Sequence, residues 1–108
     1  MPRAVRLHRS FLADVRKQTA WLAENGPEGW ATNLLVAIEE VAERLARLPD
    51  VGAILQEDER LVLRKLIFRR LPYVAWYAYP KPSGDVWLLR LFGAHQDRPD
   101  PDPAAWDL

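Results

Sequence analysis

Apolar and polar positions divide the chain into a short opening strand, two helices and three later strands. Val5 and Leu7 alternate with Arg6, which predicts a first strand over residues 4–7. Ser10 is a natural N-cap for a helix over residues 11–24. The apolar stripe of that helix is Leu12, Val15, Thr19 and Leu22, flanked by Phe11 and Trp21. Asn25-Gly26-Pro27 breaks it, and Pro27 suits the first turn of a second helix. There Trp30, Leu34, Ile38, Val41, Leu45 and Leu48 recur at steps of four and three, and Pro49 ends the run. The short break makes the two helices an antiparallel hairpin. Residues 50–59, with Asp50, Glu57, Asp58 and Glu59, read as an acidic loop. Strands follow over 64–70, 73–79 and 85–92, with residues 60–63 a possible extension of the first. Pro72 and the turn Pro80-Lys81-Pro82-Ser83-Gly84-Asp85 separate them, and such short links make antiparallel neighbours. The predicted order is β-α-α-β-β-β. The fold class is α+β, with a helical hairpin packed on one face of a small, mainly antiparallel sheet.

After Asp97 the pattern changes. Alternating Pro and Asp from Pro99 to Pro103 fixes φ and removes donors, which excludes a helix or a central strand. The chain therefore divides into a domain over residues 1–98 and a tail over 99–108. Either the tail lies on the surface, with Trp106 as anchor and Asp100, Asp102 and Asp107 near basic residues, or it is a frayed end.

Composition narrows the function. The 108 residues make one domain, and 49% hydrophobic content with five Trp is enough for a core. No apolar run approaches the roughly 20 residues of a membrane span. The N-terminus lacks the apolar stretch of a secretory signal. Cysteine is absent, which fits a cytoplasmic protein and excludes thiolate ligands and thiol nucleophiles. With only His8 and His95, and no phosphate-binding glycine loop, neither a metal nor a cofactor is expected. The formal net charge is zero, yet residues 60–90 carry seven Lys/Arg against a single acid, Asp85. Such a local basic sheet suits an anion, a nucleic acid or an acidic partner.

Several motifs then fall into a known order. They are the opening strand leading to Ala13-Asp14-Val15, and Leu48-Pro49-Asp50-Val51-Gly52 closing the second helix. Next come Arg69-Arg70-Leu71-Pro72-Tyr73-Val74 running to Trp76-Tyr77, and Leu88-Leu89-Arg90-Leu91-Phe92 followed by Ala94-His95-Gln96-Asp97. From residue 4 to about 98 the chain resembles the toxins of the RelE/ParE superfamily, the ParE-like branch most. The resemblance implies a type II toxin–antitoxin toxin, neutralised by a cognate antitoxin in a hetero-oligomer. It also implies one of two activities. ParE-like members block DNA gyrase without a known hydrolytic step, and RelE-like members cleave mRNA on the ribosome.

A metal-free ribonuclease needs a group that helps deprotonate the 2′-OH, cations for the phosphorane and an acid for the leaving oxygen. Arg70, Arg90 and His95 are the candidates for that chemistry. His95 matches the place where some ribonuclease members carry a catalytic His, but the Tyr that usually accompanies it is Gln96 here. Strand alternation puts Arg64 and Arg70 on one face and Lys65 and Arg69 on the other. Arg90 and one of the Arg69/Arg70 pair are thereby candidates for the face away from the helices. Tyr73, Tyr77 and Tyr79 share one face, where they could stack on bases or serve as core or antitoxin-binding residues. Arg64, Arg69, Arg70, Tyr73, Tyr77, Arg90, His95, Gln96 and Trp106 make up the expected target- or antitoxin-binding set. Nucleases on ribosomal RNA gain from strong net positive charge. A neutral chain with an acidic loop and tail favours the non-catalytic, gyrase-directed reading. A ribosome-dependent endoribonuclease, or a binding module that has lost toxicity, are the alternatives.

Overall fold

A computed structural model gives the fold of residues 3–81 and 84–108. The elements are β1 (Val5–Leu7), α1 (Arg9–Asn25), α2 (Trp30–Arg47), β2 (Ala53–Glu57), β3 (Leu61–Ile67), β4 (Tyr73–Pro80) and β5 (Val86–Gly93), followed by a 3-10 turn at Pro103–Ala105. The strands form one sheet in the order β1-β5-β4-β3-β2. β1 runs parallel to β5, with Val5 opposite Val86 and Leu7 opposite Leu88, and the other pairings are antiparallel. The parallel contact follows from the long helical crossover between the first strand and the rest. Pro82 and Ser83 of the expected β4–β5 turn lie outside the described residues.

The helical hairpin covers one face of the sheet. Phe11, Leu22, Leu34, Ile38, Val41 and Leu45 pack on Val62, Leu66, Tyr73, Ala75, Tyr77, Tyr79, Val86, Leu88 and Leu91. The stripe expected for α2 is thus its buried face, except that Leu48 lies beyond the helix and is exposed. α1 caps differently from the sequence reading. His8 is the N-cap, its Nδ1 accepting from the Ser10 amide at 3.2 Å. The Ser10 hydroxyl instead donates to the Leu89 carbonyl at 2.7 Å, tying α1 to β5. Burial, and then the charge of Arg9, hold the His8 imidazole below its ordinary pKa, so the acceptor form is favoured.

Two expectations about the strands need correction. Residues 50–59 are not all loop, because Ala53–Glu57 pairs with β3 as an edge strand. This strand is mostly exposed and irregular in register between Ile54 and Gln56, so it carries no alternating pattern to read. β3 runs from Leu61 to Ile67, not from Arg64 to Arg70. The Phe68 amide donates to the Tyr73 carbonyl at 2.9 Å and closes the hairpin, leaving Arg69–Pro72 as its turn. At the other end of β3, the Asp58 carboxylate accepts from the Leu61 and Arg60 amides, both at 2.8 Å. Those two bonds, Leu61's first, hold its pKa below the usual carboxylate value.

The second face of the sheet has its own apolar clusters. Leu63, Ala78 and Leu89 lie under Trp106 and Leu108 of the tail, while Val74, Trp76 and Phe92 pack together beside Leu55. The tail is therefore docked. Its acids do not provide the hold: among the described residues Asp100, Asp102 and Asp107 form no salt bridge. Asp102 instead accepts from the Ala104 amide at 3.0 Å and starts the 3-10 turn.

Candidate functional site

The expected binding residues separate into four places, and only one of them presents free polar groups together. Arg64 and Tyr77 belong to the interior, at the corner between α2 and β2. Arg64 Nη1 donates to the carbonyls of Gly52 at 2.7 Å and Asp50 at 3.1 Å, and its Nε donates to the Tyr79 hydroxyl at 2.9 Å. The Tyr79 hydroxyl in turn donates to the Asp50 carboxylate. Tyr77 is fully buried. Its hydroxyl accepts from the Gly52 amide at 2.9 Å and donates to the Pro49 carbonyl at 2.6 Å. Burial pushes the Tyr77 phenol up to about 12, against the opposing pull of the Gly52 hydrogen bond and of Arg64. Together these side chains cage the segment Leu48-Pro49-Asp50-Val51-Gly52. As a correction to the sequence reading, Arg64 is not a free groove cation and Tyr77 is not a contact residue. Strand register turned both toward the helices.

Arg90 lies elsewhere. It stands opposite Trp76, where β5 carries an extra residue between the pairs Trp76–Arg90 and Tyr77–Leu88. Its guanidinium sits 4.8 Å from the centre of the Phe92 ring and reaches round the sheet edge to Asp14 of α1. Nε donates to Asp14 Oδ2 at 2.7 Å and Nη2 to Oδ1 at 3.3 Å. β1 ends at Leu7, so β5 lacks a strand partner further along, and Asp14 Oδ2 also accepts the Leu91 amide at 2.9 Å. Arg90 is thus an ion-paired structural residue. It does not join Arg70 and His95 in a shared anion pocket.

The third place is the tail. Trp106 packs on the sheet and meets His8 edge-on, with ring centres 5.1 Å apart.

The remaining residues converge at the end of the sheet where β3 turns into β4 and β5 exits. The Ala94 amide donates to the Pro72 carbonyl at 2.7 Å and ties the two connections together. A groove there is lined by Lys17, Gln18 and Trp21 of α1, Pro72 and Tyr73, and Gly93 to Gln96. Tyr73 forms its buried floor, and burial raises the phenol's pKa. The Gln96 side-chain oxygen accepts from Gly93 N at 3.1 Å and from Gln18 Nε2 at 3.3 Å, which fixes the turn. His95 is exposed, and so are Arg69 and Arg70 in the turn just before Pro72. Trp21 is 58% exposed. Lys17 and Trp21 are one turn apart on α1, an i, i+4 pair facing the same way. That spacing was the only sequence signal for their part in the groove, and it does not say which side of the helix meets the sheet.

This arrangement suits binding. Among the described residues the His95 side chain has no hydrogen-bond partner to orient its ring, which proton transfer would need. Exposed indole, lysine and arginines offer apolar area beside positive charge. Among the described residues no three His, Asp or Glu side chains are grouped so as to hold a metal. No helix there is long and apolar enough to cross a membrane.

Comparison with known proteins places this geometry. The chain is similar in structure to a protein of the chromosomal ParDE TA system from P. aeruginosa, with a TM-score of 0.63 and 21% identity over 86% of this chain and 97% of the other. It is also similar to a chain of the archaeal RelE-RelB complex from Pyrococcus horikoshii OT3, with a TM-score of 0.53 and 15% identity over 90% of this chain and 100% of the other. At these identities the likeness is one of fold. No curated protein sequence matches the chain. The family described as the ParE toxin of the type II toxin-antitoxin system, parDE, matches residues 5–98. That match runs through both helices and every strand of the sheet, and the chain therefore belongs to the ParE toxin family of type II toxin–antitoxin systems.

Proposed function

We propose that this toxin acts by binding rather than by hydrolysis, with DNA gyrase as its target. In this reading the groove at the end of the sheet meets the target. Trp21 supplies apolar contact, Lys17, Arg69 and Arg70 supply positive charge around it, and His95 adds a polar ring. The observation that carries the reading is the state of the ribonuclease candidates. Arg90 is committed to Asp14, and His95 has no orienting partner among the described residues. Induced expression followed by a supercoiling assay with purified gyrase is the test. Inhibition of supercoiling, with translated mRNA left intact, is the expected result.

The ribonuclease alternative keeps one supporting observation, the exposed His95 at the same end of the sheet as Arg69 and Arg70, which have no ion-pair partner among the described residues. Cleavage of mRNA in a purified translation system would establish it in place of the first reading. Harmless expression without any antitoxin would favour a binding module without toxicity.

The partner is a cognate antitoxin, and the complex a cytoplasmic hetero-oligomer. Large apolar side chains remain exposed on both helices and on the sheet margin: Trp21, Leu35, Val36, Ile54 and Ile67. An amphipathic segment laid across the hairpin and the sheet edge would cover them. The toxin should then be markedly less soluble alone than when co-expressed with the product of an adjacent reading frame.

A further inference from the structure

The family match ends at residue 98, yet the tail beyond it seats Trp106 and Leu108 on the sheet face that the helices leave uncovered. Trp106 and Leu108 cover Leu63 of β3, Ala78 of β4 and Leu89 of β5, beside Leu55 and Trp87. A single arginine fastens the backbone. Arg60 Nη2 donates to the Pro103 carbonyl at 3.0 Å and to the Trp106 carbonyl at 2.8 Å. These contacts read carbonyls and one indole, and they ignore the tail's acids. Pro99, Pro101 and Pro103 restrict φ in the free tail, so little chain entropy is lost when it binds. The docked segment includes the 3-10 turn Pro103–Ala105, and its aromatic anchor sits on a mainly aliphatic surface. The next row of the sheet, Lys65 opposite Trp76 and Trp76 opposite Arg90, extends the surface beyond the tail, and Lys65 has no ion-pair partner among the described residues.

We propose that this sheet face is a peptide-docking surface whose resident ligand is the chain's own tail. The tail acts as a strap, which a proline-containing partner segment with one tryptophan-sized anchor must displace. Held in cis, the strap competes at an effective concentration of about millimolar, so the surface admits a partner in trans only when the strap is loosened. This holds whichever target the end groove meets.

The test uses the full chain and a labelled synthetic peptide of residues 98–108. Binding by fluorescence anisotropy should be at least about tenfold tighter to Trp106→Ala than to the unsubstituted protein, whereas Arg60→Ala, which loses the residue that fastens strap and free peptide alike, should show no such gain. Both variants should keep the circular dichroism of the folded toxin. Hydrogen exchange of the Trp106 and Asp107 amides in the unsubstituted protein should be much faster than that of β4 amides. Three results would each overturn the proposal. They are equal peptide affinity for Trp106→Ala and the unsubstituted protein, no binding to Trp106→Ala, or failure of Trp106→Ala to fold together with tail amides protected as well as those of β4. The last would make the tail an integral part of the core.

Discussion

Arg90 and Asp14 join β5 to α1 through two hydrogen-bonded contacts, 2.7 Å and 3.3 Å long, at a point where the β5 edge has lost its strand neighbour. The pair is partly shielded, with 29% of the Arg90 side chain and 16% of the Asp14 side chain exposed. Because Asp14 also accepts the Leu91 amide, the two residues should not be equivalent. Arg90→Ala is expected to lower stability by about 1 kcal/mol, and Asp14→Ala by roughly 2, since the second also orphans a backbone donor. Urea unfolding of both single variants and the double variant checks this. Equal losses in the two singles would mean that the Leu91 contact contributes nothing.

Gly52 is placed by close approach. A Cβ there would stand 2.3 Å from the Lys65 carbonyl oxygen and 2.8 Å from the Tyr77 hydroxyl. The first of these is backbone in the middle of β3 and cannot swing aside. Gly52→Ala should therefore destabilise by about 3 kcal/mol, at the upper end of overpacking costs, and displace β2 from the sheet. A thermal midpoint close to that of the unsubstituted toxin would show that the α2–β2 corner can shift.

The Tyr77 phenol gives the fold an alkaline limit. Its pKa is raised to about 12 in the folded protein, against an ordinary value of about 10 when unfolded. A raised folded value means that the neutral phenol's stabilisation is fully present below pH about 10 and is lost as pH rises towards about 12. Ultraviolet tyrosinate absorbance followed together with circular dichroism should show Tyr77 ionising only as the fold is lost. Tyr77→Phe should remove this alkaline loss and cost roughly 1–3 kcal/mol at neutral pH by leaving the Gly52 amide and Pro49 carbonyl unpaired.

Ile38 lies at the centre of the α2 stripe and is buried against the sheet. Ile38→Asp places an unpaired carboxylate there, at a cost of roughly 3–5 kcal/mol against a domain stability of about 5–15. The thermal midpoint by circular dichroism should fall by at least about 10 °C, and growth inhibition should fall with it. An unchanged midpoint and undiminished toxicity would mean that this face of α2 is not needed for the core.

Reversing the charge of the end groove should act on function alone. Arg70→Glu and Lys17→Glu alter exposed side chains without partners among the described residues. Stability should change by less than about 0.5 kcal/mol, as for surface sites in general, while growth inhibition falls at least about tenfold. Undiminished toxicity in both variants would remove the groove as the target-facing surface.

The helical hairpin, the presence of β1, β3, β4 and β5, and the covering of one sheet face follow from local pattern. An apolar stripe at steps of three and four must be buried along one side of a helix, and Pro49 and Pro72 interrupt elements wherever they fall. What periodicity does not carry is pairing. β2 is an exposed edge strand that exists because β3 offers it hydrogen bonds, and nothing in Ala53–Glu57 announces it. Register alone decided that Arg64 turns inward to hold Asp50 and Gly52, because a one-residue slip would exchange it with Lys65 on the opposite face. The extra residue in β5 set Arg90 opposite Trp76 and within reach of Asp14, seventy-six positions away in sequence. Trp106 was visible as the tail's largest apolar group, but its seat on Leu63, Ala78 and Leu89 draws on three strands at once. Those relationships are non-local, and only the folded chain brings their two sides together.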